Sequence, residues 1–301
     1  MRVIVDPFYS ELGSRVVVFG GFDLLPLDFK LFPDGEFYVR VPSDVAGSNV
    51  AIIVGCMPFQ QSDCFLRGVF LTSTLKDLGV KKVILVYPYL PYSRQDKRFL
   101  PGECVSARVF VNSLLSAGAD VVVTIDVHSP DVFSSLGSRF VNISSLPVWR
   151  DYLKNNFVDG FFLIAPDEGR LEVVSKLAKL VGVPYTAFKK VRDLKSGKIT
   201  SLEPVNADEL NRLSKNNKTA IIFDDIISTG GTVSNVVKLL RKYFNGEVVA
   251  LFTHGLFLPG SIQKLISAGV DRIVSTDTVK NSFAEVSVAS LIADFIRRDI
   301  T

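Results

Sequence analysis

Short, continuous apolar runs recur along the chain and constrain its fold more than any other feature. They are VIV at 3–5, VAIIVG at 50–55, KVILVY at 82–87, DVVVTIDV at 120–127, FFLIA at 161–165, TAIIFDD at 219–225, VVALFTH at 248–254 and RIVST at 272–276. Because these runs are rich in β-branched residues and do not alternate with polar ones, they are typical of strands buried on both faces of a parallel sheet.

Segments with helical patterns lie between these runs. Their ranges are 62–78, 106–117, 170–181, 232–243 and 261–268. Strands that alternate with helices predict an α/β fold in which mostly parallel sheets are flanked by helices. The stretch 283–298 is predicted to be a terminal amphipathic helix. The charged stretch 189–206, which contains Gly and Pro, fits either a mobile loop or hairpin over a site, or a solvated surface connection.

The chain is long enough for two domains. It has 301 residues, and domains of roughly 150 residues are common. The predicted series of strands and helices runs twice, before and after residue 143. We therefore predict one domain over 1–143, a second over 144–282, and a terminal helix within 283–301 that can pack on the first domain. The sequence shows no clear repeat, so only the order of the predicted elements suggests a duplication.

The composition is that of a globular protein, without a signature of nucleic-acid or membrane binding. Hydrophobic residues make up 48% of the chain and charged residues 22%, and the net charge is only +3. No apolar run approaches the roughly 18 residues of a membrane span, and the N-terminal MRVIVDPF lacks the apolar stretch of a signal peptide. Cys56, Cys64 and Cys104 form no C-x-x-C pair, so we expect reduced thiols in a cytoplasmic protein, with no disulfide or zinc site.

The segment IIFDDIISTGGTV, at 221–233, carries the most informative motif. A predicted strand ends in two adjacent carboxylates, Asp224 and Asp225, and a loop of hydroxyls and glycines leads into a predicted helix. The loop residues suited to surround an anion are Ser228, Thr229, Gly230, Gly231 and Thr232. Glycines allow the backbone to approach a ligand closely, and free N–H groups at a helix N-terminus favour a phosphate. Neither a Walker A loop nor a G-x-G-x-x-G fingerprint occurs in the chain.

A sugar phosphate satisfies both halves of this motif. Its phosphate can lie on the loop, while its hydroxyl groups donate hydrogen bonds to the carboxylates. The alternative is an ordinary helix-capping turn beside a solvated pair of aspartates. Two acids placed directly before a hydroxyl–glycine loop favour the sugar phosphate.

Two other polar segments suit a nucleotide. In SRQDKR, at 93–98, Arg94 and Gln95 offer donors and Asp96 an acceptor, although a plain surface loop is the alternative. In FPDGEFYVR, at 32–40, Phe32 offers an aromatic face for stacking and Glu36 a carboxylate that can accept a hydrogen bond. A Pro-Asp-Gly turn between two strands is the other interpretation of this segment. The ligand-binding and turn interpretations are compatible, because the tip of a hairpin can reach into the site of a neighbouring subunit.

Further charged residues follow apolar runs. In TIDVHSP, His128 follows an apolar run, and it shares a face with Asp126 if the strand continues that far. A histidine at this position suits contact with a metal or a phosphate, although a lone histidine is more often structural. Asp167 in APDEG can hold magnesium or ribose hydroxyls, or cap the next helix. Lys190 and Arg192 point to the same side of an extended chain, so both can bind a phosphate group in the transition state. The alternative is that they are two solvated surface cations.

Taken in order, these segments resemble those of the ribose-phosphate pyrophosphokinases, also called phosphoribosyl pyrophosphate synthetases. The matching segments are FPDGEFYVR, YPYLPYSRQDKRFLPGECVSA at 87–107, TIDVHSP, APDEG, KVR at 190–192 and DDIISTGGT. The resemblance implies two phosphoribosyltransferase-like domains. It also implies that the β,γ-pyrophosphoryl group of ATP passes to the anomeric hydroxyl of ribose 5-phosphate, releasing AMP, with Mg²⁺ bridging phosphate oxygens.

The resemblance assigns roles to individual residues and implies an assembly. ATP contacts would come from Phe32, Asp34, Glu36, Arg94, Gln95, Asp96 and His128. Ribose 5-phosphate contacts would come from Asp224, Asp225, Ser228, Thr229, Gly230, Gly231 and Thr232. Lys190 and Arg192 would be catalytic, and His128 and Asp167 would be associated with the metal. Since FPDGE serves a neighbouring subunit in this family, a homodimer or larger homo-oligomer is implied.

Some positions depart from the common pattern of the family. Ser228 stands where many members have Asp, Glu168 stands where many have His, and the Lys-x-Arg loop is short. In these features the chain resembles archaeal members. A phosphoribosyltransferase is the alternative enzyme, but it does not explain FPDGE or SRQDKR. A catalytically silent regulatory homologue would be expected to have lost metal-associated or catalytic residues, and all of these are present.

Overall fold

The computed structural model describes the backbone of residues 1–192 and 199–299, and the side chains of 1–189 and 202–299. The chain divides into two compact units. Unit 1 consists of Met1–Ser145, Thr278–Lys280 and the chain from Ser287 onward. Unit 2 consists of Leu146–Asp277 and Asn281–Val286.

Strands and helices alternate along most of the described chain. The strands are β1 (Arg2–Val5), β2 (Asp23–Leu25), β3 (Asp28–Leu31), β4 (Phe37–Arg40), β5 (Asn49–Ile53), β6 (Lys82–Tyr87), β7 (Val121–Ile125), β8 (Phe140–Ile143), β9 (Phe161–Ala165), β10 (Tyr185–Arg192), β11 (Ile199–Pro204), β12 (Thr219–Ile227), β13 (Glu247–Gly255), β14 (Arg272–Thr276) and β15 (Ala284–Val286). The helices are α1 (Ser10–Gly20), α2 (Gln61–Asp77), α3 (Ser106–Ser116), α4 (Leu146–Asn156), α5 (Leu171–Val181), α6 (Ala207–Asn216), α7 (Gly231–Leu240), α8 (Ser261–Ala268) and α9 (Ala289–Arg298).

Each unit is built on one mostly parallel sheet, which confirms the predicted α/β class. In unit 1 the strand order is β2-β1-β5-β6-β7-β8, and every neighbouring pair is parallel. In unit 2 the order is β11-β10-β9-β12-β13-β14-β15, and only β10 and β11 are antiparallel. A separate hairpin of β3 and β4 completes unit 1.

The two sheets share one topology. When β3, β4 and β11 are set aside, the strands of each unit, numbered in chain order, lie in the order 2-1-3-4-5-6. This is the duplication that the repeated pattern of strands and helices suggested. In open α/β sheets, ligands bind beyond the carboxyl ends of the strands where the strand order reverses. That point lies between β1 and β5 in unit 1, and between β9 and β12 in unit 2.

The core of unit 2 explains why its strands lack polar alternation. Phe162 and Ile164 pack into a hydrophobic layer on one face of the sheet, with Ile222 of β12. Leu163 packs into the opposite layer, with Phe223 of β12. Since successive side chains of a strand point to opposite faces, both layers need apolar residues, and the run becomes continuous.

The C-terminal segment differs from its prediction. The stretch 283–298 was expected to be one helix, but Ala284–Val286 form β15 beside β14, and α9 begins only at Ala289. Strand β14 leaves unpaired backbone groups at the edge of the sheet in unit 2, and these groups pair with residues 284–286. The pattern of apolar residues in the sequence does not show that such a partner is present. Within unit 1, α9 packs against α1, and Arg297 donates a hydrogen bond to the carbonyl of Phe19 at 2.6 Å.

The cysteine prediction is wrong for two of the three residues. Cys56 and Cys64 form a disulfide, with their Cα atoms 5.3 Å apart. Cys56 follows β5 and Cys64 lies in the first turn of α2, so the connecting loop folds back and brings them together. Cys104 is a free, exposed thiol. The spacing of the pair matches no familiar motif, and only the path of the chain reveals it.

Candidate active site

Three carboxylates converge at the strand reversal of unit 2. Strand β12 lies beside β9 and parallel to it, so the carboxyl ends of the two strands meet at one edge of the sheet. Asp167 follows the end of β9, and Asp224 and Asp225 lie in the last part of β12. The parallel order of the strands therefore joins two motifs that are far apart in the sequence.

An arginine that the sequence interpretation did not select lies among these acids. Arg170 Nη1 is 2.9 Å from Asp225 Oδ2, and its Nε is 4.0 Å from Asp224 Oδ1. The side chains of all three residues are at most 16% exposed. In the sequence, the position of Arg170 directly after APDEG, at the predicted start of a helix, could have drawn attention to it. Its partners are distant along the chain, so only the fold identifies them.

Backbone groups fix the orientation of both aspartates. Asp224 Oδ1 accepts a hydrogen bond from the N–H of Asp225 at 2.9 Å, and Asp225 Oδ1 accepts one from Ile226 at 2.8 Å. Burial raises the pKa of Asp224 well above its ordinary value, and the charge of Asp225 and a hydrogen bond with it raise it further. Arg170 opposes this rise of the pKa, while Asp167 adds to it. Among the side chains that the structure describes, the site is thus a crowded acidic group that pairs with Arg170.

The loop after these acids has the geometry of an anion cradle. Gly230 has a φ of 72°, and α7 begins at the next residue. A Cβ on Gly230 would lie 3.3 Å from the carbonyl oxygen of Ser261, so the left-handed conformation and the close approach both require glycine. Among the described side chains, none caps the first turn of α7. Its N–H groups are therefore suited to an anion.

Neighbouring chain segments hold the same loop in place. The carbonyl of Ser228 accepts a hydrogen bond from the N–H of Leu258 at 3.1 Å. The carbonyl of Thr229 accepts one from Lys264 Nζ at 3.1 Å. Thr229 itself is exposed, and Thr232 is partly exposed in the first turn of α7. The fold brings all the predicted sugar-phosphate residues together on one continuous segment.

Asp167 does not act as the helix cap that its sequence position allows. It precedes a short 3₁₀ turn, Glu168–Arg170, which leads into α5. Its backbone carbonyl accepts a hydrogen bond from the N–H of Arg170 at 3.1 Å, but its carboxylate makes no capping bond to this turn. The carboxylate acts electrostatically on Asp224 instead. The site interpretation of Asp167 is therefore favoured over the capping one.

In unit 1, the polar loops after β6 and β7 lie together. Ser129, next to His128, donates a hydrogen bond from its hydroxyl to Asp96. Gln95 Oε1 accepts one from Ser106 Oγ at 2.6 Å, which ties this loop to the start of α3. Arg94 is exposed. The fold thus places the loop of Arg94, Gln95 and Asp96 beside the loop of His128, as neighbouring parallel strands require.

The predicted relation between Asp126 and His128 is wrong. Strand β7 ends at Ile125, and Asp126 has a φ of 36°, so the alternation of a strand does not extend to these residues. The carboxylate of Asp126 accepts hydrogen bonds from the N–H of Ser145, at 3.0 Å, and from the Ser145 hydroxyl. Asp126 therefore holds the loop after β8. The partly exposed His128 lies beyond the strand, on the loop that also carries Ser129.

The segment FPDGE forms the predicted hairpin tip. Strands β3 and β4 are antiparallel, with Leu31 opposite Phe37, and the N–H of Phe32 donates to the carbonyl of Glu36 at 2.7 Å. Aromatic contacts at the base, including Phe37 with Phe70 of α2 at 5.2 Å between ring centroids, anchor the hairpin. Phe32, Asp34 and Glu36 are exposed at the tip. The tip is therefore available to a ligand.

The strand reversal of unit 1 is filled by protein. Asp6, directly after β1, pairs with Arg67 of α2 at 2.7 Å, and both side chains are at most 3% exposed. Arg67 also donates to the carbonyl of Gly55 at 2.7 Å, and its guanidinium lies over the ring of Phe8, 4.4 Å from the centroid. Burial raises the pKa of Asp6, against the attraction of Arg67. The two units share a topology, but only unit 2 keeps an accessible acidic group at this point.

The side chains of the predicted catalytic pair, Lys190 and Arg192, lie outside the part of the chain that the structure describes. Their backbone forms the end of β10, which is paired with β11. The two strands are antiparallel, and whether this segment lies over a site stays a prediction. Within the described residues, no helix has the length and apolar character needed to cross a membrane.

Comparison with known proteins agrees with the observed fold. The model of the N-terminal domain of ribose phosphate pyrophosphokinase matches residues 2–118, and the phosphoribosyl transferase domain matches 148–289. These two matches place the chain among proteins built from phosphoribosyltransferase-type domains.

Similar proteins narrow the assignment within that class. A ribose-phosphate pyrophosphokinase of Methanobrevibacter smithii is 34% identical over 291 residues, covering 96% of this chain and 97% of its own. One of Methanopyrus kandleri is 33% identical over 98% of both chains. The crystal structure of phosphoribosylpyrophosphate synthetase from Mycobacterium smegmatis superposes with a TM-score of 0.86 at 25% identity, covering 99% of this chain and 98% of its own. The chain belongs to the ribose-phosphate pyrophosphokinase family.

Proposed function

We propose that this protein is a ribose-phosphate diphosphokinase that makes phosphoribosyl pyrophosphate and AMP from ribose 5-phosphate and ATP, for nucleotide biosynthesis. One observation carries the proposal: Asp224 and Asp225 lead directly into a glycine loop and an uncapped helix start. Acceptors for sugar hydroxyls thus adjoin donors for a phosphate. The full-length similarity to pyrophosphokinases distinguishes this reaction from simple phosphoribosyl transfer.

Ribose 5-phosphate binds to unit 2 in this proposal. Its 5-phosphate accepts hydrogen bonds from the N–H groups at the start of α7 and from the hydroxyls of Ser228, Thr229 and Thr232. Gly230 and Gly231 let the phosphate approach the backbone. The vicinal ribose hydroxyls donate to Asp224 and Asp225, whose side chains are oriented by backbone hydrogen bonds.

ATP binds to residues of unit 1. The exposed ring of Phe32 stacks on adenine, and Asp34 and Glu36 on the same hairpin tip accept from nucleotide donors. Arg94 and Gln95 donate to the nucleotide, and Asp96 orients that loop through Ser129. His128, on the adjoining loop, is proposed to contact a phosphate of ATP or its metal. The hairpin tip serves a neighbouring subunit, which requires a homodimer or a larger homo-oligomer.

Magnesium is the proposed cofactor, and we propose His128 of unit 1 and Asp167 of unit 2 as metal-associated residues, each within its own unit. Residues 1–192 and 199–299 contain no group of three or more His, Cys, Asp or Glu side chains placed to hold a metal. This fits Mg²⁺ bound to a nucleotide, because that ion usually keeps its waters and uses one or two carboxylates together with substrate phosphates. When bound, Mg²⁺ supplies charge neutralisation for the triphosphate.

The side chains of the protein provide alignment and charge for the transfer. The oxygen of the anomeric hydroxyl attacks the β-phosphorus of ATP and releases its proton to solvent. The bond between the β-phosphorus and the oxygen that bridges it to the α-phosphorus breaks, and AMP leaves with that electron pair. Lys190 and Arg192 hold the transferring group as its negative charge develops. We assign the ATP role to a domain over 1–143 and the sugar role to one over 144–282, in a cytoplasmic enzyme.

The reaction is tested by incubating the purified protein with ATP, magnesium and ribose 5-phosphate, and then analysing the nucleotides. We expect AMP to form only when the sugar phosphate is present, together with an equal amount of phosphoribosyl pyrophosphate. Formation of ADP, or no reaction, would refute the proposal. AMP formed from adenine and phosphoribosyl pyrophosphate would indicate a phosphoribosyltransferase instead.

The proposed catalytic clamp is tested with Lys190→Ala. We expect turnover to fall by about a hundredfold or more, because the lost charge acts mainly on the transition state. The affinity for ribose 5-phosphate should change far less, since the sugar is held by other residues. Steady-state kinetics measure the first quantity and calorimetry the second, and equal losses in both would contradict a transition-state role.

A further inference from the structure

Arg170 is placed to govern the acidic group of unit 2. It ends the 3₁₀ turn that follows Asp167, and the hydrogen bond from its N–H to the Asp167 carbonyl closes that turn. Its guanidinium crosses to the neighbouring strand, where Nη1 lies 2.9 Å from Asp225 Oδ2. The arginine therefore links the Asp167 turn after β9 to the acidic end of β12.

The contacts of Arg170 with the two aspartates differ in kind. The 2.9 Å between Arg170 Nη1 and Asp225 Oδ2 is the length of a charge-assisted hydrogen bond. The 4.0 Å between Arg170 Nε and Asp224 Oδ1 is too long for a hydrogen bond and corresponds to an ion pair. Asp225 thus has one carboxylate oxygen fixed by the N–H of Ile226 and the other by Arg170. A carboxylate held at both oxygens presents its remaining lone pairs in a fixed direction.

Charge balance gives the arginine a second effect. Asp167, Asp224 and Asp225 are close enough to act on one another, and the side chains of Asp224 and Asp225 are at most 15% exposed. Repulsion between partly buried carboxylates is strong because water screens it poorly. The guanidinium, 2.9 Å from Asp225 and 4.0 Å from Asp224, offsets this repulsion and so helps to keep the carboxylates in place as acceptors for a sugar hydroxyl.

We propose that Arg170 is a positioning residue for the sugar: it holds Asp225, offsets the charge of the acidic group, and so keeps the carboxylates ready for the hydroxyls of ribose 5-phosphate. This inference rests on the proposed function of the loop in unit 2. Arg170 acts through Asp225 in this role and is not assigned to the reacting atoms.

The test compares Arg170→Met, Arg170→Lys and the wild type. For Arg170→Met we expect the KM and the calorimetric Kd for ribose 5-phosphate to rise by about tenfold to a hundredfold, as for loss of a hydrogen bond to a charged group. The KM for ATP should change by less than about twofold, because no ATP contact is lost. Arg170→Lys should recover part of the affinity, since it keeps the charge but not the planar fork.

A matched control separates this role from simple stabilisation. Arg272→Met removes another ion pair of unit 2, in which Arg272 lies 2.6 Å from Glu285, distant in sequence from the sugar loop. We expect it to leave the affinity for ribose 5-phosphate unchanged. If Arg170→Met does not fold, Arg170→Gln takes its place, because its amide can still donate to Asp225 without supplying charge.

Several outcomes would overturn the inference. They are an unchanged affinity for ribose 5-phosphate, an equal loss in the Arg272→Met control, no recovery with lysine, and a tighter affinity, which would mean that Arg170 competes with the sugar for the carboxylates. These outcomes are distinct from failure of the proposed function. A wild type that forms no AMP but binds ribose 5-phosphate refutes the reaction and leaves the role of Arg170 testable by calorimetry.

Discussion

Asp224 shows how a residue can be costly for the fold and useful for the site. Its pKa is raised from 3.8 by burial, by Asp225 and by Asp167. At pH values between 3.8 and the raised pKa, the folded state holds a proton that the unfolded chain releases. The stability contributed by this group is therefore present below pH 3.8 and is lost as the pH rises through the raised pKa. A substrate that donates hydrogen bonds to the carboxylate offsets this cost only when it is bound.

Asp224→Asn is therefore expected to separate stability from affinity. At neutral pH the variant should unfold at a higher denaturant concentration than the wild type, and this advantage should shrink as the pH falls toward 3.8. Its affinity for ribose 5-phosphate should be weaker, because an amide is a poorer acceptor than a carboxylate. Denaturant unfolding and calorimetry at several pH values measure the two effects.

The pH dependence of sugar binding provides the control for this prediction. Wild-type affinity should decline as the pH falls and Asp224 gains its proton, and the decline should begin above the range of an ordinary aspartate. The phosphate of the ligand also titrates, near pH 6. Asp224→Asn should retain only the phosphate effect, and an identical pH profile in both proteins would contradict the role of Asp224.

At the scale of elements, the connection from β12 to α7 depends on one glycine. Gly230 combines a φ of 72° with a close approach to the carbonyl of Ser261. Gly182, at the end of α5, has a φ of 86° but open space where a Cβ would lie. The two positions share the backbone requirement and differ in their surroundings.

Gly230→Ala is expected to damage both the fold and the phosphate site. The left-handed conformation costs a non-glycine residue about 1 kcal/mol or more, and the new methyl group must displace the loop from Ser261. We expect the affinity for ribose 5-phosphate to fall by about tenfold, because small misplacements of a site have large effects. Gly182→Ala should cost similar stability with unchanged affinity, and a similar affinity loss in both variants would argue against a local effect.

The connection from β5 to α2 carries the disulfide of unit 1. It lies beside the buried pair of Asp6 and Arg67, since Gly55, which Arg67 contacts, precedes Cys56. Closing a loop of this sequence separation stabilises a protein mainly by restricting the unfolded chain.

Cys56→Ser, or reduction of the disulfide, is expected to lower the free energy of unfolding by about 2 to 3 kcal/mol. Denaturant unfolding with and without a reductant measures this loss. Cys104→Ser is the control, because Cys104 is exposed and free, and it should leave stability unchanged. A reductant that has no effect on wild-type unfolding would contradict the expected contribution.

At the scale of the whole molecule, the two units have the same strand order but different residues at the strand reversal. The strand reversal of unit 2 holds Asp167 and Asp224, which are partly exposed, and Asp225, which is buried at 7% exposure. The equivalent position of unit 1 is closed by Asp6 and Arg67, and its candidate nucleotide residues lie instead after β6 and β7 and on the hairpin of β3 and β4. The two units therefore share a sheet order and differ in the residues at the strand reversal.

The proposed assembly predicts complementation between inactive variants. Glu36→Ala alters the hairpin tip, and Lys190→Ala removes the proposed clamp. If the tip serves a neighbouring subunit, mixed oligomers contain some sites with both residues intact, so activity should partly recover when the two variants are co-expressed. AMP formation by the purified mixture measures this recovery. No recovery in confirmed mixed oligomers would show that each tip serves its own chain.

The sequence by itself determined the eight strands with continuous apolar runs, the fold class and the composition of the proposed sugar-phosphate loop. These depend on local patterns: continuous apolar runs for doubly buried strands, and acids, hydroxyls and glycines in one unbroken segment. Shorter or less apolar elements escaped prediction. Helix α6, for example, buries only Leu210 and Leu213, and β15 needs the edge of a sheet already formed by β14.

Only the tertiary structure decided the partners of residues that are distant along the chain. It joined Arg170 to Asp225, Cys56 to Cys64, and Asp6 to Arg67, and it turned Asp126 away from the strand geometry that its spacing suggested. Burial and electrostatic pairing depend on where strands and helices meet in space. The sequence can therefore name the residues of such a site, while the fold decides which charges face one another and which position stays open to a ligand.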